Sequence, residues 1–332
     1  MKLVVTVDTE ADDQWDYGVP ITTRNVAYWP RFQHLCERHG VQPTYLVASE
    51  ITQDERAREL LARWSRRGAI EIGSHLHPWT TPPFVDRPGL RYNDPVHAYP
   101  SQLPAQLLEE KTRVLTEQVG LAFGVRPTAY RAGRCGLDLR GARCLAALGY
   151  VVDSSVTPLT SWSGHPGLGG EGGPDFRAHA PDPFWIADIG EPGLMEVPVT
   201  VMTTYGVLRA HRALLGAYRS LPVRAVRRLL LDRWLRPQPL WLDVNPKCVA
   251  DDLARLWTFA EACGLDTGVM IFHSSELMPG GSPFRPDERS VAELLSRLDA
   301  FFGLVRSRGD VFTTLTPAAR ELAGRIRDVR PL

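Results

Sequence analysis

No apolar run in this sequence reaches the roughly 18 residues that a membrane-spanning helix needs, so no transmembrane segment is expected. The opening MKLVVTVDTE runs directly into a strand-like stretch, with no apolar h-region and no small-residue cleavage site. That pattern argues against a secretory leader and for a cytoplasmic location. An excess of charge is also missing, since 38 Lys and Arg face 38 Asp and Glu. Zero net charge gives no basis for a nucleic-acid or polyanion partner. The five cysteines, Cys36, Cys135, Cys144, Cys248 and Cys263, form no CxxC pair. An odd, scattered set suits reduced thiols better than a disulfide framework. The G-x-G-x-x-G fingerprint after a first strand is absent too, which weakens a dinucleotide-binding reading. The sequence contains neither an internal repeat nor a low-complexity tail.

What remains is an ordinary globular composition, 44% hydrophobic and 23% charged over 332 residues. A chain of this length buries a large core without disulfide or metal staples. Strand-like runs at 3–8, 43–49, 70–74, 128–133 and 150–155 alternate with helical spacing at 26–40, 54–68, 104–120 and 138–148. Gly40 and Gly68 stop two of these helices, Asp54 starts one, and Pro30 and Pro104 fall in first turns. The repeating order implies parallel strands covered by helices. The regularity then breaks. Gly and Pro make 158–194 a long loop, 194–202 reads as a strand, and 207–237 is a basic run with helical spacing. That run is either a solvated amphipathic helix or a docking surface for an anionic ligand or lipid. Strands at 240–244, 268–275 and 311–315 follow, with helices at 249–264, around 287–307 and from Pro317. The fold expected is α/β: a distorted βα barrel of about seven parallel strands with long inserted loops. It is read as a single domain, 1–332, with an irregular insertion around 156–240. A doubly wound open sheet is the alternative.

Polar residues fall where such a fold builds its sites, at the carboxyl ends of strands. Asp8 and Glu10 follow VVTV, His75 and His77 end IEIGSHLH, Arg131 lies in TAYRAG, Asp153 in YVVDSS, and His273 ends GVMIFH. Each alone has a plain structural explanation: a helix cap, a hydrogen-bonded core histidine, an ion pair. Their conjunction at equivalent strand ends carries the weight. Side chains alternate along a strand, so the H-x-H pair shares one face, and so do Asp8 and Glu10. Two histidines and a carboxylate suit a divalent metal that keeps positions open for water. The set Glu10, His75 and His77 leaves Asp8 as a spare carboxylate able to act as general base toward a metal-activated water. His273 on the opposite side is suited to protonate a leaving amine.

The order of these motifs resembles the polysaccharide deacetylases, the NodB-homology group of carbohydrate esterase family 4. The counterparts are TVDTEADD, GSHLHPW, YRAGRCG, VDSS and IFHSSE, spanning residue 1 to about 280. Two positions depart from the family pattern. Thr9 stands where the family has a second acid, which puts the metal carboxylate on Glu10 with Asp12 and Asp13 as reserves. Trp79 stands where the family has its second imidazole, for which His77 is the nearest substitute. The resemblance implies a distorted barrel that removes an acyl group, usually acetyl, from an amino sugar. It implies that Asp8 is the base, that Arg131 orients and charge-pairs it, and that Asp153 holds and tunes His273, the acid. One divalent metal would polarise the amide oxygen, zinc first and iron, cobalt, nickel or manganese as the others.

The reading is therefore a metal-dependent hydrolase of an N-acylated sugar or glycoconjugate. Two alternatives stand beside it: a hydrolase of another C–N amide or cyclic imide bond, and a degenerate homologue that binds a glycan without turnover. Loops 76–104, 158–194 and 203–240 should wall the site. Trp79, Trp162 and Trp241 are the foremost sugar-stacking candidates, with Tyr92 and Trp185 behind them.

Overall fold

The computed structural model describes residues 1–16, 18–87, 90–94, 99–191, 193–203, 239–244 and 250–332. The basic run expected to be helical at 207–237 lies outside them, as do Cys248 and most of the loop 203–240.

The framework begins with β1 (Lys2–Thr9), a β-branched run buried along almost its whole length. It continues through β2 (Thr44–Val47), β3 (Glu71–Leu76), β4 (Ala129–Ala132) and β5 (Val152–Asp153). The segment expected as one strand at 194–202 is broken. It forms β7 (Met195–Glu196) and β8 (Val201–Thr203), and the preceding loop contributes β6 (Phe184–Ile186). Pro198 lies at the break; without a backbone N–H it has no donor for a sheet ladder. The later strands are β9 (Pro239–Trp241), β10 (Thr267–His273), β11 (Val311–Thr313) and β12 (Val329–Arg330). Helices α1 (Trp29–His39), α2 (Glu55–Arg66), α3 (Ala105–Phe123) and α4 (Leu139–Ala147) follow the first four strands. Local chemistry sets their ends. Asp54 accepts the Ala57 amide at the start of α2, and Gly40, at φ 74°, closes α1 in the left-handed region that a side chain disfavours. The last helices are α5 (Ala250–Ala262), α6 (Glu288–Ser307) and α7 (Leu315–Ala323).

The strand order β10-β1-β2-β3-β4-β5-β7 is parallel at every step. These are the seven parallel strands expected. A doubly wound sheet would reverse its order at a switch point; this path proceeds round in chain order. It also closes. Beyond β7, Val197 N–H donates to Asp153 O and Val199 N–H to Val156 O, while Thr200 N–H donates to Val269 O on β10. Leu242 bridges the same gap, donating to Thr200 O and accepting from Ile271 N–H. The result is a distorted barrel, with β6 and β12 continuing the sheet outside the ring.

Strand alternation divides the residues into two sets. Val4, Leu46, Ala129, Val152, Met195 and Val269 pack with Leu315, Ala318 and Leu322 of α7, which plugs one end of the barrel. Their neighbours Val5, Val7, Tyr45, Tyr130 and Phe272 pack outward in the cluster that includes the residues of α1, α2 and α3. The Glu71 carboxylate accepts the amides of Leu315 and Thr316, which fixes the N-terminus of the plug. The inward parity continues to Asp8, His75, Arg131 and His273 at the opposite end.

Candidate metal centre and active site

At that open end, Glu10, His75 and His77 are all buried and each offers a ligand atom within 4.8 Å of the others. His77 Nε2 lies 2.6 Å from Glu10 Oε2, and His75 Nε2 lies 3.5 Å from the same oxygen. His75 Nδ1 is 3.0 Å from the Arg131 carbonyl oxygen. A carbonyl accepts only, so Nδ1 carries a proton, and in the neutral ring this leaves the Nε2 lone pair facing the cluster. His77 owes its position to close packing: a Cβ on Gly133 would stand 2.7 Å from His77 Nδ1 and 2.5 Å from Leu76 O. Trp79 packs against the His77 ring, tilted by 49° with centroids 4.2 Å apart. The loop beyond is tied to α3 by buried Lys111, whose ammonium donates to the carbonyls of Pro78, Thr81 and Pro83.

Asp12 and Asp13 stay out of the cluster. Asp12 accepts from Thr22, Arg24 and Asn25, which organises the loop after β1. Glu10 is the carboxylate that remains, and its backbone is pinned by Asn25 and Ser274.

Asp8 lies beside this group, with Oδ2 4.0 Å from His75 Nε2. Its Oδ1 accepts from Arg131 Nη1 at 2.6 Å. The guanidinium is fully buried and uses its remaining edge on Ser154, donating from Nε to the carbonyl at 2.7 Å and from Nη2 to the hydroxyl at 3.1 Å. Burial would raise the pKa of Asp8, but the charges of Arg131 and His75 outweigh it and hold the carboxyl below its ordinary value. Glu10 is lowered likewise, burial being overcome by the two histidines. Burial also opposes protonation of both imidazoles. Asp8 and Glu10 reverse this at His75, whose pKa rises, whereas at His77 burial and the charge of His75 prevail and the pKa falls.

His273 faces the same cavity, its ring 29% exposed and edge-on to Trp15 at 4.8 Å. The carboxylate beside it is Glu276, with Oε1 3.6 Å from Nδ1. Burial would lower the His273 pKa; Glu276, Glu10 and Asp8 together raise it to about 9. Glu276 is steadied in turn by Arg285, 3.4 Å away.

The expected Asp153–His273 pairing is not found. Alternation turns Val152 and Ser154 into the barrel and Asp153 out of it, on the same side as Tyr130. There Asp153 bonds Ser155 and faces Glu196 on the adjacent strand. Burial pushes both carboxyls up; the Asp153 charge adds to the rise at Glu196, which lies far above its usual range, whereas the hydrogen bonds from Glu196 and Ser155 temper the rise at Asp153. The pair acts on the site through the turn it holds: Asp153 accepts from Ser155, and Glu196 accepts the Val156 amide, so the Ser154 acceptors of Arg131 are set.

Trp79, Trp162 and Trp241 all line the cavity of about 310 Å³ that contains Asp8, Glu10, His75, His77 and His273. Tyr92 instead packs with Leu103, Leu107 and Leu108, and Trp185 is anchored to Ile326 O. Sequence reasoning missed Trp15, Tyr99, Arg134 and Glu276. Glu276 had a signal, standing three residues after His273 on the turn that follows the strand.

The structure shares its fold with a putative polysaccharide deacetylase from Mycobacterium smegmatis, at a TM-score of 0.57 over 100% of this chain and 93% of that one, with 16% identity. A probable polysaccharide deacetylase from Pseudomonas aeruginosa PAO1 superposes at 0.53, over 98% of this chain and 91% of the other, with 13% identity. Puue allantoinase gives 0.50, over 98% and 90%, with 13% identity. The fold is that of the polysaccharide deacetylases. No family model and no curated protein matches the sequence. No helix among the described residues is long and apolar enough to cross a membrane.

Proposed function

We propose that the protein is a metal-dependent hydrolase that removes an N-acyl group, acetyl in the first instance, from an amino sugar or glycoconjugate. The observation that carries this reading is the opening of Asp8, Glu10, His75, His77 and His273 onto one cavity. One carboxylate and two imidazole nitrogens, converging from buried positions, are a donor set that fits zinc or another divalent transition metal. When bound there by Glu10, His75 and His77, the cation supplies Lewis acidity toward an amide carbonyl and toward water.

The protein side chains supply the rest. Asp8, kept ionised by Arg131, takes the proton of the attacking water. His273, kept protonated at neutral pH by its acidic neighbours, gives a proton to the departing nitrogen. The tryptophans narrow the access of bulk water. Purified protein is expected to carry a divalent metal and to release acetate from members of a panel of N-acetyl sugars, with loss on chelation. Metal-free protein that refuses added metal would overturn the reading. A second reading, hydrolysis of a cyclic amide, is favoured by the fold shared with Puue allantoinase, and cyclic amides belong in the same panel.

Two substitutions test the acid. His273→Ala is expected to keep its metal and to lose turnover by roughly 10²–10⁴-fold, the scale of a lost general acid. Loss of metal in that variant would make His273 a ligand instead. Glu276→Gln removes the foremost of the three carboxylates that together raise the His273 pKa to about 9. The acid form is lost as pH rises through that pKa, so the alkaline limb of the rate profile should move down toward the ordinary imidazole value of about 6.5. An alkaline limb that stays in place would separate Glu276 from the acid.

A further inference from the structure

We propose that a second chamber, beyond His273, is a binding site for a bulky apolar substituent of the substrate amide, an aryl group or an alkyl chain of several carbons. This rests on the amide-hydrolase reading above. Two cavities meet at the His273 ring. The first, of about 310 Å³, holds the candidate metal ligands. The second, of about 460 Å³, holds none of them, yet shares Trp15, Trp162, Trp241, Ile271 and His273 with the first. Its further wall includes Asp243, Val244 and Phe284. Trp162 stands edge-on to Trp241 at 6.1 Å, and Phe284 edge-on to Trp15 at 5.3 Å.

The polar groups of this wall are engaged. Glu276 serves His273 and Arg285, the Asp243 charge acts on Arg285 as well, and the Thr160 hydroxyl donates to Pro158 O. Arg285 also donates to Val244 O, which holds that wall in place. A hydroxyl-bearing sugar ring entering here would meet a mostly apolar wall and regain few of the hydrogen bonds it gave up to water, whereas an apolar group has no such need. An amide with its carbonyl toward Glu10, His75 and His77 and its nitrogen toward His273 sends one substituent past His273. An acetyl methyl would leave most of the chamber empty; a pocket of several hundred Å³ matches a much larger group.

Acyl and amine substituents present the same chemistry to this wall, and two probe series distinguish them. N-acetyl-, N-butanoyl- and N-octanoylglucosamine extend the acyl side; N-acetyl derivatives of methylamine, butylamine and benzylamine extend the amine side. Binding is measured calorimetrically on metal-loaded His273→Ala protein, and kcat/KM on the unaltered holoenzyme. In one series, affinity is expected to rise about fourfold per buried methylene. Thr160→Phe and, independently, Val244→Phe, each checked for native circular dichroism, fill the chamber and should flatten that rise. Affinity flat in both series, or a rise that survives both fillings, overturns the proposal. Tighter binding of the longer probes with no hydrolysis of any probe sinks the hydrolase reading and keeps the chamber. Hydrolysis of the acetyl compounds with no length dependence does the reverse.

Discussion

Arg131→Met is expected to destabilise the protein by about 3–5 kcal/mol, the cost of leaving one member of a buried ion pair without its partner. Asp8 is buried and Arg131 is its nearest counter-charge, at 2.6 Å. Methionine fills similar space but leaves Asp8 and both Ser154 acceptors without their donors. The Asp8 pKa then rises, because burial is no longer opposed by the guanidinium. A native carboxyl with a raised pKa binds a proton that the unfolded chain has released, so the deficit should be largest near pH 7 and shrink as pH falls toward the ordinary aspartate range. Turnover should fall with it, since a protonated Asp8 is no base. Arg131→Lys keeps the charge but not the planar fork that reaches Asp8 and Ser154 together, and should lie between. Urea unfolding at several pH values decides the point. A stability loss under about 1 kcal/mol would place the pair among those of little consequence.

Loss of metal is the second large effect. Glu10→Ala or His75→Ala should weaken binding of the divalent cation by more than the roughly 10–100-fold that follows loss of an outer partner alone. Both residues sit at strand ends, away from the two main clusters of apolar packing, so the fold should persist. Elemental analysis after dialysis against a weak chelator, with circular dichroism alongside, separates metal loss from unfolding. A His75→Ala protein that retains its metal in full would refute the assignment, because Nε2 of His75 is aimed at Glu10 by the bond from Nδ1 to Arg131 O.

The barrel and the inward faces were legible because both rest on short-range periodicity. Side chains alternate between the two faces of a strand, which makes H-x-H and D-x-E share a side, and those residues do converge. Asp153 misled because VVDSS is apolar at two successive positions. Parity along such a strand is undetermined until a neighbour fixes it, and the ring puts Val152 inside with Ala129 and Met195. Ser154, not Asp153, therefore faces Arg131. Trp15 was invisible for another reason. It lies in a loop shaped by Asp12 through bonds to residues 10–13 positions later, a geometry without any sequence period. The split of 194–202 and the closure through Thr200 and Leu242 depend on contacts with β10, some 30–70 residues further along the chain.

The outward-facing acids Asp153 and Glu196 give folding an uptake of hydrogen ions. In the unfolded chain both would be ionised at neutral pH; facing each other away from water, they retain a proton between them. The native state is thus favoured as the medium acidifies from neutrality toward the ordinary carboxylate range. Asp8 works in the opposite sense, since its depressed pKa makes stability fall as pH drops through that value. One barrel therefore holds two acid groups with contrary slopes, one facing the cavity and limiting tolerance of acid, the other behind the sheet and limiting tolerance of base.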